Sequence, residues 1–237
     1  MGLRSKSIVI GLLALLALPP AASAASPPPP FPAAGEVLAS RVAARARPSQ
    51  SARVVHVFRQ FRSDYRPTIV HAIGQRTFRP RDPYAEPTVW YKVRLPVRPY
   101  GRTGWVRSEG VEVFTIRQRV VIRRRARVLD VYRGSRRILR TRVAVGRPGR
   151  PTPLGNFYVA AKYVPQRNSL VSTYALELSA PAGLSDFPGG GVVGIHGTPA
   201  LYSIGQAASN GCVRVRPRTA RALRRLVPLG APVRVVR

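Results

Sequence analysis

The chain has 237 residues, of which 40 are Lys or Arg and only 9 Asp or Glu, giving a formal charge of +31 at pH 7. Thirty-seven of the basic residues are arginine, and Cys212 is the single cysteine. One thiol excludes an intramolecular disulfide framework, the length allows one large or two small domains, and the charge concentrates polyanions at the surface.

In chain order, Arg4 and Lys6 precede the apolar run IVIGLLALLAL, and the segment closes on Ala22, Ser23 and Ala24. This pattern predicts a signal peptide over 1–24, removed from an exported chain that begins near Ala25. The run is shorter than the roughly 18–20 apolar residues that span a bilayer, and no later stretch is both long and uncharged. An uncleaved segment tethering the chain to a membrane is the alternative. Loss of Arg4 and Lys6 lowers the charge from +31 to +29, and export makes anionic wall polymers and lipid headgroups the natural partners rather than nucleic acid. A nucleic-acid binder would also need an aromatic stacking pattern that the sequence lacks.

Residues 25–35, ASPPPPFPAAG, predict a stiff extended linker. From Glu36 the chain breaks into short apolar runs at 54–58, 68–74, 89–95, 104–107 and 111–116, a spacing that predicts a small barrel or sandwich over 36–114. In the arginine-rich stretch that follows, 128–132 and 138–145 are expected to pair as a hairpin across RGSR, with arginines on exposed faces or edges. Strands are predicted over 156–161 and 192–196, a helix over 219–227 with Thr219 as N-cap, and a last strand in APVRVV. The second half, 115–237, therefore reads as mostly β with one short helix.

Cys212 is either a small buried apolar residue or a working thiol. A thiol nucleophile needs a base and backbone donors aimed at the oxyanion it creates. His56 and His71 lie in the first half, whereas His196 ends a strand 16 residues before Cys212, a spacing at which a strand, a loop and a return bring imidazole to sulfur. Gly211 is either an ordinary turn glycine or the place where a substrate carbonyl approaches the N–H groups of Gly211 and Cys212. One cysteine and scattered histidines make no plausible zinc set, so no metal and no cofactor is expected. GGGVVG fits the dinucleotide-loop pattern, but a strand-like run follows where a helix should open.

Two pieces of the first half, VAARARPSQSARVVHVF and VWYKVRLPVRPYGRTGWVRSEGVEV, resemble bacterial SH3-like modules. That likeness covers about 36–113, is interrupted by the basic segment 59–83, and implies a binder of wall components or a spacer. The second half resembles the L,D-transpeptidase (YkuD-type) catalytic domain of bacterial cell walls. GIHGTPALYSIGQAASNGCVRV carries His-Gly-Thr, a loop and Ser-x-Gly-Cys-Val-Arg, PTPLGNFYV carries the Pro-Thr-Pro-x-Gly-x-Phe turn, and LGAPVRVV the closing strand.

Together the resemblances imply an SH3-like small barrel followed by a β-sandwich catalytic domain with a short helix. They make Cys212 the nucleophile, His196 its base, the Gly197 carbonyl the group orienting the imidazole, and the N–H groups of Gly211 and Cys212 the oxyanion hole. Arg214 would hold a carboxylate of the peptide stem, for which a guanidinium fork is suited. Ser209 and Thr198 either line the site or satisfy loop backbone groups. Asn210 stands where many members carry histidine, a departure that bears on rate and substrate preference. The implied reaction is acyl transfer from peptidoglycan tetrapeptide stems through a Cys212 thioester, releasing D-alanine and forming 3→3 cross-links. With water as acceptor the same site is an L,D-carboxypeptidase, and carbapenems are implied as acylating inhibitors. The competing reading is a catalytically silent protein that grips anionic wall polymer.

Overall fold

The computed structural model of the protein describes residues 30–164, 173–182 and 191–237. The predicted signal peptide and the beginning of the proline-rich segment lie outside the described residues. Seven strands form the N-terminal sheet: β1 (Ala33–Val37), β2 (Arg41–Arg45), β3 (Val54–Arg59), β4 (Ile69–Phe78), β5 (Thr88–Arg94), β6 (Thr103–Arg107) and β7 (Val111–Thr115). They run antiparallel in the order β3-β2-β6-β5-β4-β1-β7. Valines and alanines at alternate positions, among them Val42, Ala44, Val70, Ala72, Val93 and Val106, turn inward with Phe58 to make its core. Ala33, Ala34 and Gly35, read from sequence as linker, lie in β1 and pair with both β4 and β7.

The second sheet contains β8 (Gln118–Arg123), β9 (Val128–Arg133), β10 (Arg136–Arg142), β12 (Gly155–Tyr163), β13 (Ala175–Pro181), β14 (Val192–Gly197), β16 (Val213–Val215) and β17 (Pro232–Val236). Two short strands, β11 (Val145–Gly146) and β15 (Ala207–Ser209), pair beside it. The order is β10-β9-β8-β17-β12-β13-β14-β16. The pairs β8/β17 and β14/β16 are parallel and the others antiparallel; β12 pairs with β17 on one side and β13 on the other, and residues of β8 and β9 share one core with those of β13 and β14. Its core gathers Val120, Leu129, Phe157, Leu178, Ile195 and Val215 with Leu223 of helix α1 (Pro217–Leu226).

Two local expectations shift. The hairpin strand expected to reach Val145 stops at Arg142, because Val145 pairs instead with Ala207. The helix starts before Thr219, which sits buried in its first turn; Arg216 is the N-cap and Pro217 occupies the first helical position. Proline suits that position because its φ is already helical and its missing N–H would have had no helical partner. Among the described residues no helix is long and apolar enough to cross a membrane.

The two sheets meet through buried contacts. His71 of β4 is 2% exposed, its ring stacks on Tyr158 of β12 at 5.7 Å, and its Nδ1 lies 3.0 Å from the Gly230 carbonyl. Tyr158, Ala160 and Ile69 pack together at the same junction.

Candidate active site

The parallel register of β14 and β16 sets Ile195 beside Val213 and His196 beside Arg214. Cys212, one step before β16, therefore stands beside Gly194, and the Gly194 N–H points to its Sγ at 3.4 Å. Side chains two residues apart on a strand share a face, and in-register neighbours share it across the ladder. His196, Cys212 and Arg214 thus project from one face at the edge of the sheet. The adjoining strands add Ala175 beside His196, and Tyr163 beside Ala175. Cys212 is half-buried and packs against Ala161, Tyr163 and Ala175.

His196 is 6% exposed, and its Nδ1 lies 2.9 Å from the Gly197 carbonyl. A carbonyl only accepts, so Nδ1 carries the proton and Nε2 keeps the lone pair. Burial pushes the imidazole pKa below its usual value; the Gly197 carbonyl opposes this and the Arg214 charge adds to it. The ring is neutral at pH 7 and carries its basic atom on the face of the thiol.

The loop holding Cys212 is tied from several sides. Ser209 Oγ accepts the Gly211 N–H at 3.1 Å and donates to the Cys212 carbonyl at 2.5 Å. Thr152 Oγ1 donates to the Gly211 carbonyl at 2.9 Å while accepting the Gly146 N–H at 2.9 Å. Gly211 adopts φ +119°, a conformation that side chains with a Cβ rarely take. Behind the loop, a Cβ on Gly146 would fall 2.2 Å from the Arg150 carbonyl oxygen, so only glycine lets the 147–152 turn press this close.

The other groups singled out in the sequence have partners in this geometry. The Gly211 N–H, expected to face an oxyanion, is taken by the Ser209 hydroxyl two residues back, the short-range bond that serine forms readily in turns. Ser209 and Thr198 both bond loop backbone groups: Thr198, 2% exposed, accepts the Ala200 N–H at 3.2 Å. Asn210 and Gly211 border a recess of about 310 Å³ that Arg98, Tyr100 and Arg150 also line. Arg214 stands on the predicted face, its backbone locked to Ala144 by two 2.9 Å bonds.

A polar cluster on this same sheet face escapes sequence reasoning. Arg62, from the loop after β3, donates to both Glu177 oxygens at 2.8 Å and to the Tyr163 hydroxyl at 3.1 Å. That hydroxyl lies 2.7 Å from Glu177 Oε2 and from Asp64 Oδ2, and the Arg66 guanidinium sits 4.0 Å over the Tyr163 ring. Burial alone would raise the Asp64 pKa, but the Tyr163 hydroxyl, the Arg66 N–H and the two guanidinia outweigh it and hold the carboxyl low. Burial, then Glu177 and Asp64, push the Tyr163 phenol up. The N-terminal unit thereby walls one side of the face that bears Cys212. Among the described residues no group of three or more His, Cys, Asp or Glu side chains converges as a metal cage.

Residues 117–235 match the family model of the L,D-transpeptidase catalytic domain. Over 121 residues the chain is 31% identical to the YkuD protein of Bacillus licheniformis, assigned as an L,D-transpeptidase, covering 51% of this chain and 67% of that one. Among solved structures, the Enterococcus faecium L,D-transpeptidase aligns at 23% identity over 51% of this chain and 50% of that chain, with a TM-score of 0.41. The Mycobacterium smegmatis enzyme aligns at 17% identity over 71% and 99%, with a TM-score of 0.44. An L,D-transpeptidase in complex with imipenem aligns at 19% identity over 71% and 91%, again with a TM-score of 0.44. The chain spans about half the length of the enterococcal protein.

Proposed function

The chain belongs to the L,D-transpeptidase catalytic-domain family, and from that premise we propose that it is an exported cysteine acyltransferase forming 3→3 cross-links between peptidoglycan stems. The observation that carries this reading is the pairing on one face of the Cys212 thiol with a neutral His196, its tautomer fixed by the Gly197 carbonyl. That is the arrangement a thiol–imidazole nucleophile requires.

In this reading the Cys212 proton passes to His196 Nε2, and the thiolate attacks the carbonyl joining the third-position diamino acid to the terminal D-alanine. The Gly211 N–H exchanges its neutral serine acceptor for the developing oxyanion, since charge-assisted hydrogen bonds are about twice as strong. His196 returns the proton to the departing D-alanine amine, leaving a Cys212 thioester. The side-chain amine of a second stem gives its proton to His196, attacks the thioester carbonyl and releases the thiolate. Arg214, beside His196, holds a stem carboxylate. Imipenem, which a relative binds, would acylate Cys212. The 36–114 unit, read as SH3-like, would carry the enzyme to the wall.

The test is mass spectrometry of products after residues 25–237 are incubated with disaccharide tetrapeptide, beside a Cys212→Ala control. A dimer lighter than two monomers by one D-alanine, absent from the control, is expected. Tripeptide alone would make the protein a carboxypeptidase, and unchanged substrate would favour the wall-binding reading.

A further inference from the structure

A second recess lies away from the thiol. It is a half-open space of about 760 Å³ where β8 and β17 of the second sheet meet β4 and β5 of the first, and none of Cys212, His196 or Arg214 lines it. Four arginines do, Arg94, Arg119, Arg123 and Arg234, and no carboxylate. Arg123 is paired with the buried Asp130, but no described carboxylate pairs with Arg94, Arg119 or Arg234. Arg119 lies over the Tyr132 ring at 4.2 Å and donates to the Gly134 carbonyl, which fixes its direction without neutralising it.

Arg94 is the informative member. Its guanidinium is half-buried, and burial pushes its pKa below the usual value with nothing opposing the shift. A desolvated cation without a counter-ion is costly, and evolved interiors pair such charges. His71 lines the same recess but brings no charge: burial, resisted by the Gly230 carbonyl and helped by Arg94, pulls its pKa to about 4. The remaining walls, Phe31, Ile73 and Phe157 among them, are apolar. Several guanidinium forks bordering one recess suit the oxygens of a phosphate, which they can hold in pairs. The volume lies in the range of about 300–1,000 Å³ that takes a small molecule, and a recess between sheets is no flat membrane-facing surface.

We propose that this recess is an anion-binding site, separate from the thiol's, that takes the phosphate group of a small organic phosphate. It stands independently of the transpeptidase reading. Because a chain of charge +31 attracts any anion, the test must separate a site from a field. Isothermal titration of the full chain with sn-glycerol 3-phosphate at fixed ionic strength, with inorganic phosphate and glycerol as comparisons, should give saturable one-to-one binding of the phosphorylated ligand. Arg94→Gln/Arg234→Gln should weaken it about tenfold or more. Arg218→Gln/Arg221→Gln, on the exposed face of α1, removes the same charge elsewhere and should change it by less than about twofold. Arg234→Gln alone, at an exposed position, covers the case in which the Arg94 variant fails to fold. Absence of saturable binding, equal weakening by both double variants, or binding confined to phosphatidylglycerol vesicles would overturn the proposal.

Discussion

The junction between the two sheets and the catalytic edge each hold a buried histidine in the same electronic state. His71 and His196 both place Nδ1 near 3 Å from a backbone carbonyl, at 3.0 and 2.9 Å, and both have burial-lowered pKa values. Their surroundings differ: His71 stacks on Tyr158, whereas His196 stands in register with Arg214 on the strand beside Cys212. A neutral, tautomer-locked imidazole is therefore no sign of catalysis by itself. What distinguishes the two is the chemistry across from the second ring nitrogen.

The sharpest way to break that comparison is to exchange their roles by substitution. His196→Gln should lower kcat/KM for tetrapeptide turnover about a thousandfold, as expected for loss of a general base, while His71→Gln should leave it within about twofold. Because burial depresses the His196 pKa, wild-type kcat/KM should hold below pH 6.5, the ordinary histidine value, and fall only at lower pH. A fall centred on 6.5 or above would show that a different group sets the profile.

Next in size is the ion cluster that closes the junction. Arg62→Gln strands the buried Glu177 carboxylate and should cost about 3 kcal/mol in urea unfolding, and Arg62→Gln/Glu177→Gln should recover most of it. Equal losses in both would mean that packing of the Arg62 stem, not its charge, matters.

The last effect, partial at any pH above 4, concerns pH. His71 has a folded pKa of about 4 against 6.5 unfolded, so between these values the unfolded chain binds the extra proton and stability falls as pH falls. The full loss, reached below pH 4, is about 3 kcal/mol at most, from about 1.4 kcal/mol per unit. His71→Gln should flatten this share of the stability curve between pH 7 and 4, measured by urea midpoints at each pH.

Local pattern made much of this architecture legible. The strands β3 to β7, the β9–β10 hairpin and the closing β17 follow from alternating apolar residues between turn formers. β8 did not stand out, because the inward Val120 and Ile122 alternate with arginines inside a longer basic run. β1 was masked by neighbouring prolines, and β11 and β15 are too short to carry a period. At the site, Cys212, His196 and Arg214 were legible because they lie within one motif. The bonds that Ser209 makes to Gly211 and Cys212, and Thr198 to Ala200, follow from hydroxyl geometry, which spacing does not encode. The Arg62–Glu177 contact spans 115 positions and joins two sheets; no local pattern announces it.

That contact also decides where this protein can be cut. The family match begins at residue 117, yet Glu177 inside it takes its counter-charge from Arg62 outside it, and His71 outside it bonds Gly230 within. A fragment trimmed to the matched region would put Tyr158, Ala160 and Leu229 into water together with an unneutralised carboxylate. The boundary drawn by inheritance and the boundary drawn by solvation fall in different places. For expression in pieces, the smallest self-sufficient unit is the pair of sheets, and a solitary catalytic half should aggregate rather than simply lose an accessory.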